Sequence, residues 1–250
     1  TQRNNVQEYT LVANTWKHVE LEFPGDSAIT FDDNTEGGLL WTKARTVGES
    51  HTLFDTVRAS NKAIYTNLSE RDETRNFNLN FLSSGFSWNT SDGMVNNASH
   101  TYAAWNFRKK KGFFDIVTWT GNGSAPRSIS HNLGSVPGLI MVKCTSSNST
   151  DWMVWHRDFD AKDYITLNST SAKGTNEAKF GGQVSGSAKP TSTTFALGAS
   201  NDVNGNGNTY IAYLFAGGAS SAATARSVAF SSTGSNDGAK SLTIANSSGN

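Results

Sequence analysis

The sequence predicts an all-β chain of two tandem antiparallel β-sandwich units, jelly-roll-like and related by internal duplication. Three observations carry this. Helix formers never gather into an amphipathic run, whereas Gly, Ser, Thr and Asn are abundant and only 4 prolines interrupt the chain, a composition of short strands joined by turns. Apolar residues recur at period two, as in KHVELEF, where Val19, Leu21 and Phe23 alternate with His18, Glu20 and Glu22. Finally, VNNASHTYAAWNF (95–107) returns as VNGNGNTYIAYLF (203–215), an offset of 108 residues from Val95 to Val203. GGLLWTK, ending at Lys43, returns as PGLIMVK, ending at Lys143, an offset of 100.

Taken in order, a first strand is expected around Tyr9, Leu11 and Ala13, then KHVELEF, closed by the turn Pro24-Gly25-Asp26. Short strands follow at AITF (28–31), LLWTK (39–43), HTLFDTV (51–57), AIYTN (63–67), FNLNFL (77–82) and TYAAWNF (101–107), separated by polar connectors. This is repeat 1, residues 1–108, of a size that suits one sandwich. Arg108-Lys109-Lys110-Lys111 is read as a solvated junction; no aromatic residue interleaves with its cations, as a nucleic-acid patch would require. Repeat 2, residues 112–217, opens with GFFDIVTWTGNG (112–123), in which Phe113, Phe114, Ile116, Val117 and Trp119 supply core and Gly121 to Gly123 a turn. The two offsets differ by eight, and the extra residues are placed in the Gly- and Ser-rich stretch 168–192. Residues 218–250 read as a linker, GGASSAATA, and the first strands of a further β module; a two-stranded ribbon cannot stand alone, so the chain is expected to continue past Asn250.

Charge and motif content narrow the function. The 21 basic and 21 acidic residues cancel, so no global field recruits nucleic acid or anionic membrane. No apolar run reaches the ~20 residues of a membrane-crossing helix, and membrane insertion is not expected. Cys144 is the single cysteine; within LIMVKC it reads as a small core residue. His156, Asp158, Asp160 and Asp163 form the densest group of catalytic residue types, but the corresponding stretch of repeat 1 lacks the histidine and the aspartates, and a solvated loop is preferred. No enzyme activity and no cofactor are expected. Asp202-Val203-Asn204-Gly205-Asn206-Gly207 matches the first half of a calcium loop, yet Tyr213 stands where the bidentate glutamate belongs, so a turn is favoured over a metal site. Among the 7 tryptophans, Trp41 and Trp105 read as core. Trp88 and Trp152 are the candidates for an exposed carbohydrate-binding surface, with packing the simpler reading of both.

The stretch GFFDIVTWTGNG, with RSISHNLGSVPGLIMVK (127–143), DWMVWHR, YITLN, PTSTTFALG and VNGNGNTYIAYLF, resembles a repeat family of virion structural proteins of bacteriophages, marine ones especially, found in tail-fibre-like proteins. Repeat 1 shows the later half of that pattern, and its front, HVELEFPGDSAITF, stands in place of the FDIVTWTGNG block and is similar to jelly-roll strands of phage tail proteins. SVAFSSTGSNDGAKSLTIANSS (227–248) resembles the opening of a laminin-G-like sandwich. The resemblance implies a virion location and a structural role, in a tail fibre or spike with a host-attachment function or in a capsid decoration or head-fibre protein. The implied partners are other virion proteins, two further copies of the chain in a homotrimer, and a host surface glycan. It implies no catalytic residues.

Overall fold

A computed structural model describes residues 7–10, 17–20, 37–82, 85–182 and 188–217. Among the described residues all regular structure is strand, and every pairing is antiparallel. The first unit comprises β1 (Gln7–Thr10), β2 (Lys17–Glu20), β3 (Gly38–Ala44), β4 (Thr52–Asp55), β5 (Lys62–Tyr65), β6 (Glu73–Thr74), β7 (Leu79–Leu82), β8 (Gly85–Trp88) and β9 (Thr101–Arg108). The second comprises β10 (Phe114–Thr120), β11 (Arg127–Ser130), β12 (Pro137–Cys144), β13 (Met153–His156), β14 (Asp163–Thr166), β15 (Gly174–Thr175), β16 (Thr194–Leu197) and β17 (Thr209–Ala216). The expected strand at AITF, the side chains of KHVELEF and all of residues 218–250 lie outside the described residues.

The two units share one strand order. A six-stranded sheet runs β1-β9-β3-β4-β5-β6 in the first and β10-β17-β12-β13-β14-β15 in the second. Each faces a small sheet, β2-β8-β7 or β11-β16. The equivalence extends to side chains. Tyr102 Oη accepts from Asn97 N at 2.9 Å and donates to Gly93 O at 2.8 Å; Tyr210, 108 residues on, accepts from Gly205 N at 2.7 Å and donates to Asn201 O at 2.7 Å. A tyrosine thus pins the loop before the last strand of each unit, and Asn96 and Asn204 lie buried beneath it.

One sequence expectation needs correcting. The front of the first unit does not replace the FDIVTWTGNG block with HVELEF. Gln7–Thr10 pairs with β9 through Gln7↔Ala104 and Thr10↔Thr101, just as Val117↔Ala212 and Thr120↔Thr209 join β10 to β17. Lys17–Glu20 then takes the place of Arg127–Ser130. Tyr9 therefore corresponds to Trp119, a match of position without identity. The junction differs too: Lys109 N donates to Gly37 O, Lys110 bridges to Phe114, and Lys109 Nζ lies 3.3 Å from Asp115, so it is a hydrogen-bonded turn instead of a free linker.

Within each unit, one face of the six-stranded sheet packs on its small sheet. Leu40, Phe54, Tyr65, Phe77, Phe86, Trp88 and Ala104 form the first core; Trp119, Ile129, Ile140, Val142, Trp155, Phe195 and Leu214 belong to the second. The other faces meet each other. Leu39, Leu53 and Ile64 pack with Phe114, Ile116, Met141, Trp152, Val154, Ile211 and Tyr213 in a third core that belongs to neither unit alone. The order of layers is small sheet, large sheet, large sheet, small sheet. Each large side chain in this seam contributes roughly 1.5–3 kcal/mol on full burial.

A seam cleft is the candidate functional site

Trp88 and Trp152, the sequence's candidates for a ligand surface, are both 0% exposed, which corrects that assignment. Trp88 is edge-on to Phe54 and Phe86 in the first core. Trp152 lies in the seam, stacked on Tyr213 with its Nε1 donating to Tyr65 O at 2.8 Å. The physical reasons differ: Trp88 ends β8 on the face of the small sheet that packs on the large one, and Trp152 leads into β13, whose large sheet is covered on both faces. Trp41 and Trp105, expected in the core, are instead half-buried, packed edge to face at a centroid distance of 5.9 Å.

The other sequence candidates are occupied by local contacts. His156 Nδ1 is 3.5 Å from Asp158, while Asp163 takes Lys173 and the Thr175 hydroxyl and accepts from Asp160 N, so the four groups brace turns and do not converge on one point. Asp202 accepts from Ser200 Oγ and lies 3.2 Å from Lys179. Asn204 accepts from Asn122 N with its Oδ1 and donates to Asn122 Oδ1 and Ser124 O. The calcium-like string is thus a turn clamped to 121–124, with its ligand types pointing apart. Gly121 is where this clamp is tightest: a Cβ there would meet Gly205 O at 2.1 Å. Gly121→Ala is expected to cost about 2–3 kcal/mol in urea unfolding, because backbone must move to admit it.

Three groups that the sequence reading did not single out hold the seam. Asp55, 1% exposed, ends β4 and accepts from Val57 N, Arg58 N, Arg58 Nε at 2.7 Å and, across the seam, Tyr213 Oη at 2.7 Å. Burial opposes the charge on Arg58, and the adjoining Asp55 carboxylate outweighs it, raising the guanidinium pKa. Burial, with Asp55 beside it, pushes the Tyr213 hydroxyl pKa well up. The third group is Lys143, 0% exposed, whose ammonium donates to Thr150 O at 2.6 Å, Thr150 Oγ1 at 3.1 Å and, across the seam, Ser69 O at 3.1 Å. Lys43, its counterpart, donates instead to Val47 O within its own unit. The available signal was a charge inside the apolar run LIMVKC, and an Asp-x-x-Arg directly after an apolar strand.

Desolvation lowers the Lys143 pKa from 10.5 to about 8. The folded protein therefore releases this proton before the unfolded chain does, and stability gains as pH rises through the window from about 8 to 10.5. The tyrosines act oppositely. Burial raises Tyr65 and Tyr213, and Tyr210 to about 12, so stability is lost as pH climbs above the unfolded value of 10. Urea unfolding across this range should show a maximum between these limits, and Lys143→Met should remove the rising limb.

Beside these anchors the seam opens as a polar cleft of about 720 Å³, lined by Lys62, Glu70, Arg71, Asp72, Glu73 and Thr74 from the first unit and Thr145, Ser146, Asn148 and Thr209 from the second. An adjoining hollow of about 490 Å³ shares Lys62, Asp72, Thr145 and Thr209 and reaches Arg58, Thr118 and Thr120. Hydrogen bonds across the seam fix the walls: backbone to backbone, Asp72 N to Thr145 O at 3.2 Å and Thr150 N to Ser69 O at 3.2 Å, and backbone to side chain, Arg71 N to Asn148 Oδ1 at 3.2 Å. The Thr145 and Thr209 hydroxyls are 2.8 Å apart, and Lys62 and Asp72 pair at 3.1 Å.

A family model described as a domain of unknown function, DUF7483, matches residues 26–243. The chain belongs to this family. No curated protein and no solved structure matches it. The DUF7483 match spans β3 to β17, so it covers the first unit from β3 onward, the whole second unit and the residues that line the cleft, and it runs on into 218–243.

Proposed function

We propose that this DUF7483 chain is a bacteriophage virion structural protein, a tail-fibre or spike segment exposed on the particle surface, in which the two units derive from a duplicated β-sandwich. The observation that carries this reading is the back-to-back packing of the two large sheets. Two sandwiches joined by a flexible linker would bend at the joint; two sandwiches with a shared core and a buried Asp55–Arg58–Tyr213 tie form one stiff body, suited to transmitting position along a particle. Balanced surface charge suits dense packing beside other virion proteins. The sequence resemblance supports the same role. The proposed assembly is a homotrimer, and the proposed task at the particle surface is host attachment.

Immunogold labelling of intact particles, purified from cultures that express the chain, tests the location. Gold at the tail supports the fibre or spike reading, and gold over the capsid shifts it to a decoration or head-fibre protein. Chain present in the lysate but absent from purified particles overturns the proposal. Light scattering should return three times the 26.9 kDa chain mass for a trimer.

A further inference from the structure

We infer that the seam cleft is a binding site for a neutral oligosaccharide. The inference stands on the cleft and does not depend on the chain being part of a virion. Size comes first: at about 720 Å³, with the adjoining 490 Å³ hollow, the cleft falls within the roughly 300–1,000 Å³ of small-ligand sites and extends along the seam as a trough.

The chemistry of the walls selects the ligand. The charged side chains around the cleft are Arg58, Lys62 and Arg71 against Glu70, Asp72 and Glu73, which cancel, so a polyanion gains nothing from the field. The cleft proper is mainly polar, and apolar lining is concentrated in the hollow at Ala59, Trp119, Tyr210 and Ile211, a face too small to hold a lipid. What remains is a dense mixture of donors and acceptors: the hydroxyls of Thr74, Thr118, Thr120, Thr145, Ser146 and Thr209, the Asn148 amide, and alternating carboxylates and cations. Neighbouring sugar hydroxyls both donate and accept at close spacing, and such a surface satisfies them in pairs. Arg58 lines the hollow with its side chain only 9% exposed and its Nε and Nη2 held by Asp55, so that wall is fixed in place.

Both units supply walls, so the site exists only in the fused pair. Glu70, Arg71 and Asn148 are exposed and lie on the rim; the Glu70 and Arg71 side chains can be removed without breaking a seam bond, whereas Asn148 Oδ1 also accepts from Arg71 N. The test uses the 250-residue chain against immobilised neutral trisaccharides and tetrasaccharides of glucose, galactose and N-acetylglucosamine type, with heparin and polyphosphate as anionic probes. The inference expects saturable binding of at least one neutral oligosaccharide, weakened at least tenfold in Glu70→Ala/Arg71→Ala while the unfolding midpoint stays unchanged, and in Asn148→Asp, which keeps the acceptor for Arg71 N and removes only the amide donor. Silence across all neutral probes by folded protein overturns it. Binding of the anionic probes alone overturns the ligand class, and neutral binding that survives both rim variants but is lost in Trp105→Ala overturns the location.

Discussion

Asp55→Ala is expected to destabilise the protein by about 3–5 kcal/mol, the range found when one member of a buried ion pair is removed. The reason is what it strands. Asp55 accepts two backbone amides, the Arg58 guanidinium and the Tyr213 hydroxyl, and is itself 1% exposed. Without it, a cation with a side chain only 9% exposed loses its carboxylate, keeps a long contact at 3.4 Å to Leu53 O beside the Tyr213 hydroxyl, and lies uncompensated. Asp55→Asn keeps the acceptor for the Val57 and Arg58 amides but puts an amide donor where Oδ2 takes Arg58 Nε and Tyr213 Oη, so its loss reports the ion pair and the seam bond together. Tyr213→Phe removes only the seam-crossing bond and should cost about 1–2 kcal/mol. Urea unfolding of the three variants should rank them in that order, and an Asp55→Ala protein as stable as wild type would show that the tie contributes nothing.

Trp152→Ala should cost a similar amount, about 3–5 kcal/mol, as for other buried tryptophans. The ring is 0% exposed, stacks on Tyr213 at a centroid distance of 6.2 Å and, like Lys143, donates to the backbone of the other unit, here at Tyr65 O. Truncation therefore opens a cavity between the sheets and removes the shorter of two bonds that Tyr65 O accepts, the other coming from Leu68 N at 3.3 Å. Trp152→Phe keeps most of the volume and isolates the indole hydrogen bond, with an expected loss of about 0.5–1.5 kcal/mol. Because Trp152 and Asp55 share Tyr213, the double variant should lose less than the two single losses added together.

How much of this was legible depended on what each residue's neighbours are. The later half of each unit could be read because TYAAWNF and TYIAYLF keep both the pinning tyrosine and the strand that pairs with two others; identity survives where one side chain has several jobs. The front could not, because Tyr9 and Trp119 share a position and a size but no letter. The tryptophans were misplaced for a different reason. Period-two reasoning assumes one wet face, and in PGLIMVKC the apolar residues run on without alternation, which is the mark of a strand covered on both sides. Read that way, β12 announces a partner for its second face, although not which one. The cleft was invisible in the sequence because its walls, 70–74 and 145–148, become neighbours only when the two units fuse. Neither wall carries a motif.

The central claim is that the two units are one folding body joined through the seam. Native-state hydrogen exchange, followed by mass spectrometry along a urea series, tests it most directly, because local and global opening separate there. The seam core and its ties predict that the central amides of β3 and β9 and those of β12 and β17 open with one common free energy and merge at one urea concentration. Exchange of one sheet's central strands while the other sheet stays protected would contradict the claim and reduce the pair to two sandwiches that merely touch.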